Sequence, residues 1–428
     1  MNFREWATIS SIAAGGTWVS NNNQAFRQEI VELHKEIFRR NRQQINNSVH
    51  GYTDAFKQYE YRYQQYVKTY QRRVKLQVLD KAIENTQAVY VGDYHTLPQS
   101  QRSFLRLLRR IPKERPKIIA LEFIQGKHQK ALDSFIDEQL QEDAFLKAID
   151  HENHWIFGGW ASFKPILDFS RYHACPILGI DSQGKGATGA TLAKRDQYAA
   201  RKLAAIHKQY PDHLIMVLVG ELHVAPPHLP TAVNHHIEKS GLTPLKFLSI
   251  YQNAENIYWN LESKGHEHTT ELVRVSKSEF CIINTTPIVC QQSFLNWLDL
   301  DDELQPLDAP ELNFKRYAHI IASFFDLPIG NSLDDVEIAT VVDLSFLKRL
   351  KKKGNFNDDD MAQIRKQILS SESYYIPNAR MVYLGNLSIN HASEEATHFL
   401  RHLCSKSLEP KHLVDAFYAR ALEEAVGF

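Results

Sequence analysis

Cysteine is scarce in this chain: the 428 residues contain four, Cys175, Cys281, Cys290 and Cys404. They are widely scattered and none forms a C-x-x-C pair, which argues against both a disulfide framework and a thiolate zinc site. A reducing compartment fits that usage. An excess charge of one sign is missing as well, since 50 basic residues balance 50 acidic ones. A chain-wide nucleic-acid binder carries a basic excess or stripe, so no nucleic-acid partner is expected. Nor does any stretch reach the roughly 18 consecutive apolar residues of a membrane span. In the opening MNFREWATISSIAAGGTWVS, Glu5 interrupts the basic region that a secretory signal requires, and the segment reads as a loosely packed arm. A cytoplasmic location is the expectation from these absences. No repeat of fixed period and no low-complexity segment is visible.

What is present starts with length. A chain this long buries ample core and usually forms more than one structural unit. Histidine is the compositional oddity, with 20 copies; it is both the commonest metal ligand and the proton carrier of neutral pH.

From about Gln24 to Asn85 there is no proline and a single glycine, Gly51. Phe26, Ile30, Leu33 and Ile37 recur at helical spacing. Tyr52, Tyr59, Tyr63, Tyr66 and Tyr70 follow as a group. Phenolates can ligate haem iron, but a stripe of this kind is better read as a helix face packed on the next part of the chain.

After Gln87 short runs rich in Val, Ile and Leu alternate with helical patterns. The runs are Ala88–Val91, Ile118–Leu121, Pro176–Ile180, Leu214–Val219 and Phe247–Ile250, with Phe280–Ile283 as a further one. Helical stretches are expected over Gln99–Arg110, Gln129–Lys147, Ser162–His173, Leu192–Gln209 and Thr231–Lys239. Strands alternating with helices imply a parallel sheet covered on both faces. The expected fold is therefore α/β, with a mostly parallel sheet, helices on both faces and helical N- and C-terminal extensions. The expected division is a helical extension over 1–86, an α/β core over 87–255, and a mixed, mainly helical region over 256–428, including Lys411–Val426 as helix.

The residues that follow each strand carry the chemistry. The first strand runs into Gly92-Asp93-Tyr94-His95 and the second into Glu122; the third ends at Asp181, and the fourth runs into Gly220-Glu221-Leu222-His223. In a parallel sheet these ends share one edge, where ligands bind. Two imidazoles and a carboxylate suffice for a divalent metal with open positions for water, and such a metal lowers the pKa of bound water. The expected ligands are His95, Glu122 and His223, with Asp93 or Glu221 as orienting group or general base. Arg195, beside Asp196 at the opening of a helix, is either a structural ion-pair member or a clamp for an anionic substrate group. His228, in a rigid Pro-rich loop, is a candidate pocket residue.

Other signals are weaker. Gly184-Lys185-Gly186-Ala187-Thr188-Gly189 matches G-x-G-x-x-G but starts several residues past its strand and lacks the answering acid about 20 residues on. It reads as a loop over the crevice. Arg102, Arg106, Arg109 and Arg110 read as a solvated helix face. His391, Glu395, His398 and His402 lie at helical spacing, yet a di-iron bundle needs a second Glu-x-x-His helix, and none is evident.

The ordered set VYVGDYHTLPQSQ, IIALEF, HQKALDSFI, the pair Trp155 and Trp160, FKPILDFS, Arg195-Asp196 and VLVGELH resembles the ChaN-like haem-binding domain of the Tiki superfamily over about 87–230. One departure is that His95 is followed by Thr96-Leu97-Pro98 where the ChaN-like pattern commonly has more histidine. The superfamily includes Tiki-type metalloproteases, whose two G-x-x-H motifs and glutamate imply His95, His223 and Glu122 as metal site here. It also includes erythromycin-esterase-like hydrolases, so a shared scaffold does not settle the reaction. Three functions stay open: metal-dependent hydrolysis of an ester or amide in a small-molecule or peptide substrate; haem binding without turnover; and a non-catalytic scaffold that binds a protein through its helical extensions.

Overall fold

Runs of Val, Ile and Leu without polar interruption become the strands of one sheet. In the computed structural model, which describes residues 21–48, 53–151, 159–182, 189–298, 309–352, 356–370 and 372–405, these strands are β1 (Arg72–Arg73), β2 (Ala88–Asp93), β3 (Lys117–Gln125), β4 (Ile177–Asp181), β5 (Leu214–Gly220), β6 (Phe247–Gln252), β7 (Leu272–Arg274) and β8 (Glu279–Ile282). Their spatial order is β1-β7-β8-β6-β2-β5-β3-β4. The pairings from β8 to β4 are parallel; β7 runs antiparallel to both β8 and β1. The mostly parallel α/β architecture expected from the strand–helix rhythm is thus present, and the large sheet reaches outside the 87–255 stretch at both ends. The amino-terminal arm, Tyr52, Trp155, the G-x-G-x-x-G loop up to Thr188 and the Lys411–Val426 stretch lie outside the described residues.

Alternation along β2 shows why its sequence is continuously apolar. Ala88 and Tyr90 enter one core, Val89 and Val91 the other, because successive side chains point to opposite faces. One face is covered by α3 (Leu76–Glu84), α4 (Pro98–Arg110), α5 (Gln129–Ile136), α6 (Glu142–Ala148) and α7 (Trp160–Tyr172), whose apolar stripes form one continuous cluster with it. The opposite face carries α1 (Asn21–Ser48), α2 (Asp54–Tyr66), α8 (Gly189–Gln209), α9 (Leu229–Lys239), α10 (Glu255–Ser263) and α11 (Pro287–Leu298). A buried hydrogen bond between His34 Nδ1 and Glu262 Oε1 ties α1 to α10. The amino-terminal helices are therefore packed on the chain's own core.

The single helix expected over Gln129–Lys147 is instead two, α5 and α6. Glu138 adopts a left-handed backbone (φ 60°) and the Gln139 N–H closes onto the Ser134 carbonyl. The turn folds α6 back so that Phe145 stacks on Phe135 with ring centroids 4.4 Å apart. Periodicity alone does not see such a break, because the apolar spacing continues across it.

Beyond α11 a second, three-stranded sheet forms from β9 (Glu337–Thr340), β10 (Tyr374–Ile376) and β11 (Met381–Leu384), in the order β10-β11-β9. Between α12 (Pro310–Phe324) and α15 (Ile389–Ser405) and this sheet lies a separate core that includes Phe314, Val382 and Phe399. On the sheet's other face, α13 (Phe346–Lys352) and α14 (Asp358–Leu369) join the core of the large sheet. No helix of the described residues is long and apolar enough to cross a membrane.

Phe104 of α4 is fully buried beneath the sheet. Phe104→Ala should cost about 3–5 kcal/mol of stability, read as a lowered midpoint in urea with an unchanged slope.

Candidate active-site crevice

The sheet order, not the chain order, assembles the site. β2 lies beside β5, with Asp93 opposite Gly220, and β5 lies beside β3, with β4 on its far side. The carboxyl ends of β2, β5, β3 and β4 are therefore neighbours. After β2 the chain turns, the Leu97 N–H bonding the Tyr94 carbonyl, and Pro98 opens α4, a position where the missing proline N–H costs nothing. Gln101 on the first turn of α4 reaches back to hold Asp93 Oδ1. After β5 a single 3₁₀ turn, Glu221–Val224, carries His223. Glu122 was expected just past its strand. It lies within β3 instead, where the register against β4 shifts between Leu121 and Gln125; bulges of this kind re-aim side chains.

Each imidazole is gripped at Nδ1 by its own carboxylate. His95 Nδ1 is 2.9 Å from Asp93 Oδ2, and His223 Nδ1 is 2.7 Å from Asp196 Oδ1. Both Nε2 atoms then face one group: His95 Nε2 is 3.9 Å from Glu122 Oε2 and His223 Nε2 is 3.7 Å from Glu122 Oε1. Arg195 of α8 donates from Nη2 to Glu122 Oε1 and from Nε to Asp181 Oδ1 at 2.8 Å. The Gly220 N–H donates to Glu122 Oε2 at 2.5 Å. Glycine at 220 leaves room for the cluster, because a Cβ there would lie 3.1 Å from His95 Nε2 and 3.3 Å from Glu122 Oε2, close enough that the imidazole or the carboxylate would have to shift slightly.

Electrostatics follow from this packing. Burial alone would raise the Glu122 pKa, but Arg195, His223, His95 and the Gly220 N–H together hold it down at about 2. Burial pulls the His95 pKa down and Asp93 and Glu122 outweigh it; burial does the same at His223, where Asp196 and Glu122 prevail, so both imidazoles hold a proton to higher pH than usual. Burial raises Asp93 and Asp181. His95 and Arg195 each keep 21% of their side-chain exposure, whereas Glu122 and His223 keep 5%. Solvent therefore reaches the crevice past His95 and Arg195.

Of the residues singled out in the sequence, His95, Glu122, His223, Asp93 and Arg195 come together here. Arg195 and Asp196 were expected as partners of each other; they diverge from the helix, Arg195 to Glu122 and Asp181, Asp196 to His223. Glu221 turns to other partners among the described residues. It accepts from Tyr63 Oη at 2.8 Å and from the Gln252 N–H, and burial pushes its pKa up to about 8. His228 is buried, its Nδ1 2.6 Å from the Leu222 carbonyl oxygen, and Nε2 has no hydrogen-bond partner among the described residues.

Two tyrosines of α2 were read as packing and prove to do more. Tyr59 Oη donates to Asp196 Oδ2 at 2.6 Å, lies 3.0 Å from His223 Nδ1, and stacks its ring on His228 with centroids 3.6 Å apart. Burial, then the Asp196 carboxylate, keeps its phenol protonated well beyond the ordinary range. Tyr63, one helical turn on, holds Glu221. Their four-residue spacing is the one signal in the sequence that both face inward together.

The fold and the crevice define an α/β protein with a histidine–carboxylate centre at the carboxyl edge of a mostly parallel sheet. Residues 79–191, less than half of the chain, match the family described as haem-binding uptake, Tiki superfamily, ChaN, so this stretch carries a ChaN-like domain, as its motifs imply. A solved structure titled "Cofacial heme binding to ChaN of Campylobacter jejuni" is similar at 11% identity and a TM-score of 0.32, over 50% of this chain and 93% of that chain. No curated protein matches the chain.

Glu221 supplies a pH test of the site's interior. Its buried carboxyl stays protonated while the unfolded chain ionises from its ordinary 4.5 upward, so its contribution to stability falls as pH climbs to about 8 and then levels off. Glu221→Gln should flatten the loss of stability between about pH 5 and about pH 8, read as urea midpoints across that window.

Proposed function

We propose that the crevice is a hydrolytic centre for an ester or amide bond in a small-molecule or peptide substrate, built to hold a divalent metal ion. The observation that carries this reading is the paired arrangement of the imidazoles. Both Nδ1 atoms are tied to carboxylates while both Nε2 atoms face Glu122. Metal-binding histidines are typically oriented in this way, the ring N–H donating to a carboxylate and the opposite nitrogen left to coordinate. The donor set of two imidazoles and one carboxylate suits zinc-class ions, and His95, His223 and Glu122 would hold the ion. Bound there, a divalent ion supplies a water of lowered pKa and polarises a carbonyl.

The remaining work belongs to the chain. Asp93 and Asp196 set the tautomer and direction of the two rings, and Tyr59 holds Asp196 in place. Glu122 stays ionised throughout the neutral range because Arg195 sits against it. Arg195, at the open side of the crevice, uses two of its donors on Glu122 and Asp181; a guanidinium has five, and the others suit an oxygen that gains negative charge during reaction. Glu221 serves the packing of the strand ends rather than the reacting bond.

Haem binding without turnover is the second reading, favoured by the family match over 79–191. It would use His95, the more exposed imidazole, rather than Tyr59, whose buried phenol is held protonated.

The purified protein should contain a transition metal near stoichiometry, and His95→Ala and His223→Ala should each lose it with the circular dichroism spectrum retained. Unchanged metal content in both variants overturns the metal centre. In parallel, haemin titration should leave the Soret band that of free haemin; a shifted Soret band that His95→Ala abolishes would establish the second reading instead.

A further inference from the structure

The carboxy-terminal helix α15 carries a second group of ligating side chains, remote in sequence from the crevice. Glu394, Glu395 and His398 each bring one ligand atom within 4.8 Å of the others. Their spacing explains the convergence: residues four apart on a helix lie above one another, and residues three apart lie close by. Glu395 Oε1 is 3.1 Å from His398 Nδ1. Glu394 Oε2 lies 3.8 Å from Nδ1 of His391, one turn earlier.

This group is largely shielded from solvent. Glu395 is completely buried, and the Glu394 and His398 side chains keep only 21% and 12% exposure. Glu395 Oε2 has no hydrogen-bond partner among the described residues. A buried carboxylate oxygen without a partner is costly, and buried charges are found paired or on metals. The hydroxyl of Tyr374 on β10 is also near enough for the Glu395 charge to add to the effect of burial in raising its pKa. Among the described residues, the side chain paired with Glu395 is His398.

We propose that Glu394, Glu395 and His398 form a second divalent-metal site, in which two carboxylates and one imidazole hold a zinc- or manganese-class ion between α15 and the small sheet. Two carboxylate charges match those of a divalent cation. The mixed nitrogen–oxygen donor set falls between the thiolate sites that select softer ions and the all-oxygen sites of magnesium and calcium. With three protein ligands from one helix, water completes the coordination. All three ligands lie on α15, so occupancy ties successive turns of that helix together and, by binding only the folded chain, stabilises it, while the crevice chemistry stays separate.

The test uses full-length protein with His95→Ala and His223→Ala combined, so that uptake at the crevice does not contribute. Zn²⁺ titrated into this protein by calorimetry should bind with one equivalent and raise the melting temperature. Glu395→Gln in that background should abolish the uptake, and Glu394→Gln, at a half-buried position that tolerates change, should weaken it about tenfold or more. Should Glu395→Gln fail to fold, Glu394→Gln and His398→Ala give the same reading. Absence of Zn²⁺ uptake, or uptake that these substitutions leave unaltered, overturns the proposal. Neither result depends on whether the crevice holds metal.

Discussion

The ion pair between Glu122 and Arg195 is the constraint around which the crevice is organised. A carboxylate keeping 5% of its exposure would ordinarily be protonated or excluded from the interior. Here the guanidinium, a backbone N–H and two facing imidazoles keep it ionised. Once Glu122 is a fixed negative charge, the two histidines have a reason to turn their Nε2 atoms inward. Their Nδ1 atoms then require acceptors of their own, which Asp93 and Asp196 provide. Asp196 is next to Arg195 on α8, so a single helix turn contributes both the cation that stabilises Glu122 and the carboxylate that orients His223. Breaking such a pair leaves an uncompensated buried charge, which costs more than the intact pair contributes.

That electrostatic cluster is sealed from one side by α2. The helix lies against the outer face of the sheet's end, with Tyr59 bracing Asp196 and stacking on His228, and Tyr63 donating to Glu221. The close approach of Glu221 to the end of β2 is permitted by Gly92, where a Cβ would fall 1.7 Å from the carboxylate. The two glycines that open the G-x-x-H motifs thus have the same cause: each makes room for a carboxylate that crosses behind it. Residues expected to form an extension are in this way part of the crevice wall, while His95 and Arg195 keep the partial exposure that Glu122 and His223 lack.

Much of the strand pattern was legible because a parallel sheet buried on both faces forces continuous Val, Ile and Leu runs, and β2, β4, β5 and β6 all begin within a residue of those runs. The break between α5 and α6 was not, since one left-handed residue interrupts the backbone without disturbing apolar spacing. At the crevice, His95, Asp93, His223 and Glu122 stood out because each follows or ends a strand, and strand ends meet on one edge. Tyr59 was read as packing and Asp196 as the partner of Arg195, and neither was read as reaching His223. They enter from helices far away in sequence, and nothing local distinguishes a tyrosine that packs from one that packs and also donates a hydrogen bond. Glu221 looked equivalent to Asp93, occupying the same place in its motif, and only the turn that follows each strand sends the two carboxyls to different partners.

By itself, the sequence determined the class of fold and the edge of the sheet on which the strand-end residues meet, because these depend on periodicity and strand termini. Tertiary structure alone decided the pairings: Arg195 with Glu122 rather than with Asp196, Tyr59 with the His223 dyad, and the burial of Glu395 beside His398, which helical spacing alone does not show. The physical reason is common to all three. Whether a charged side chain is solvated, paired or left in need of a cation is set by what the neighbouring elements exclude from it, and that neighbourhood exists only after the sheet order and helix docking are complete.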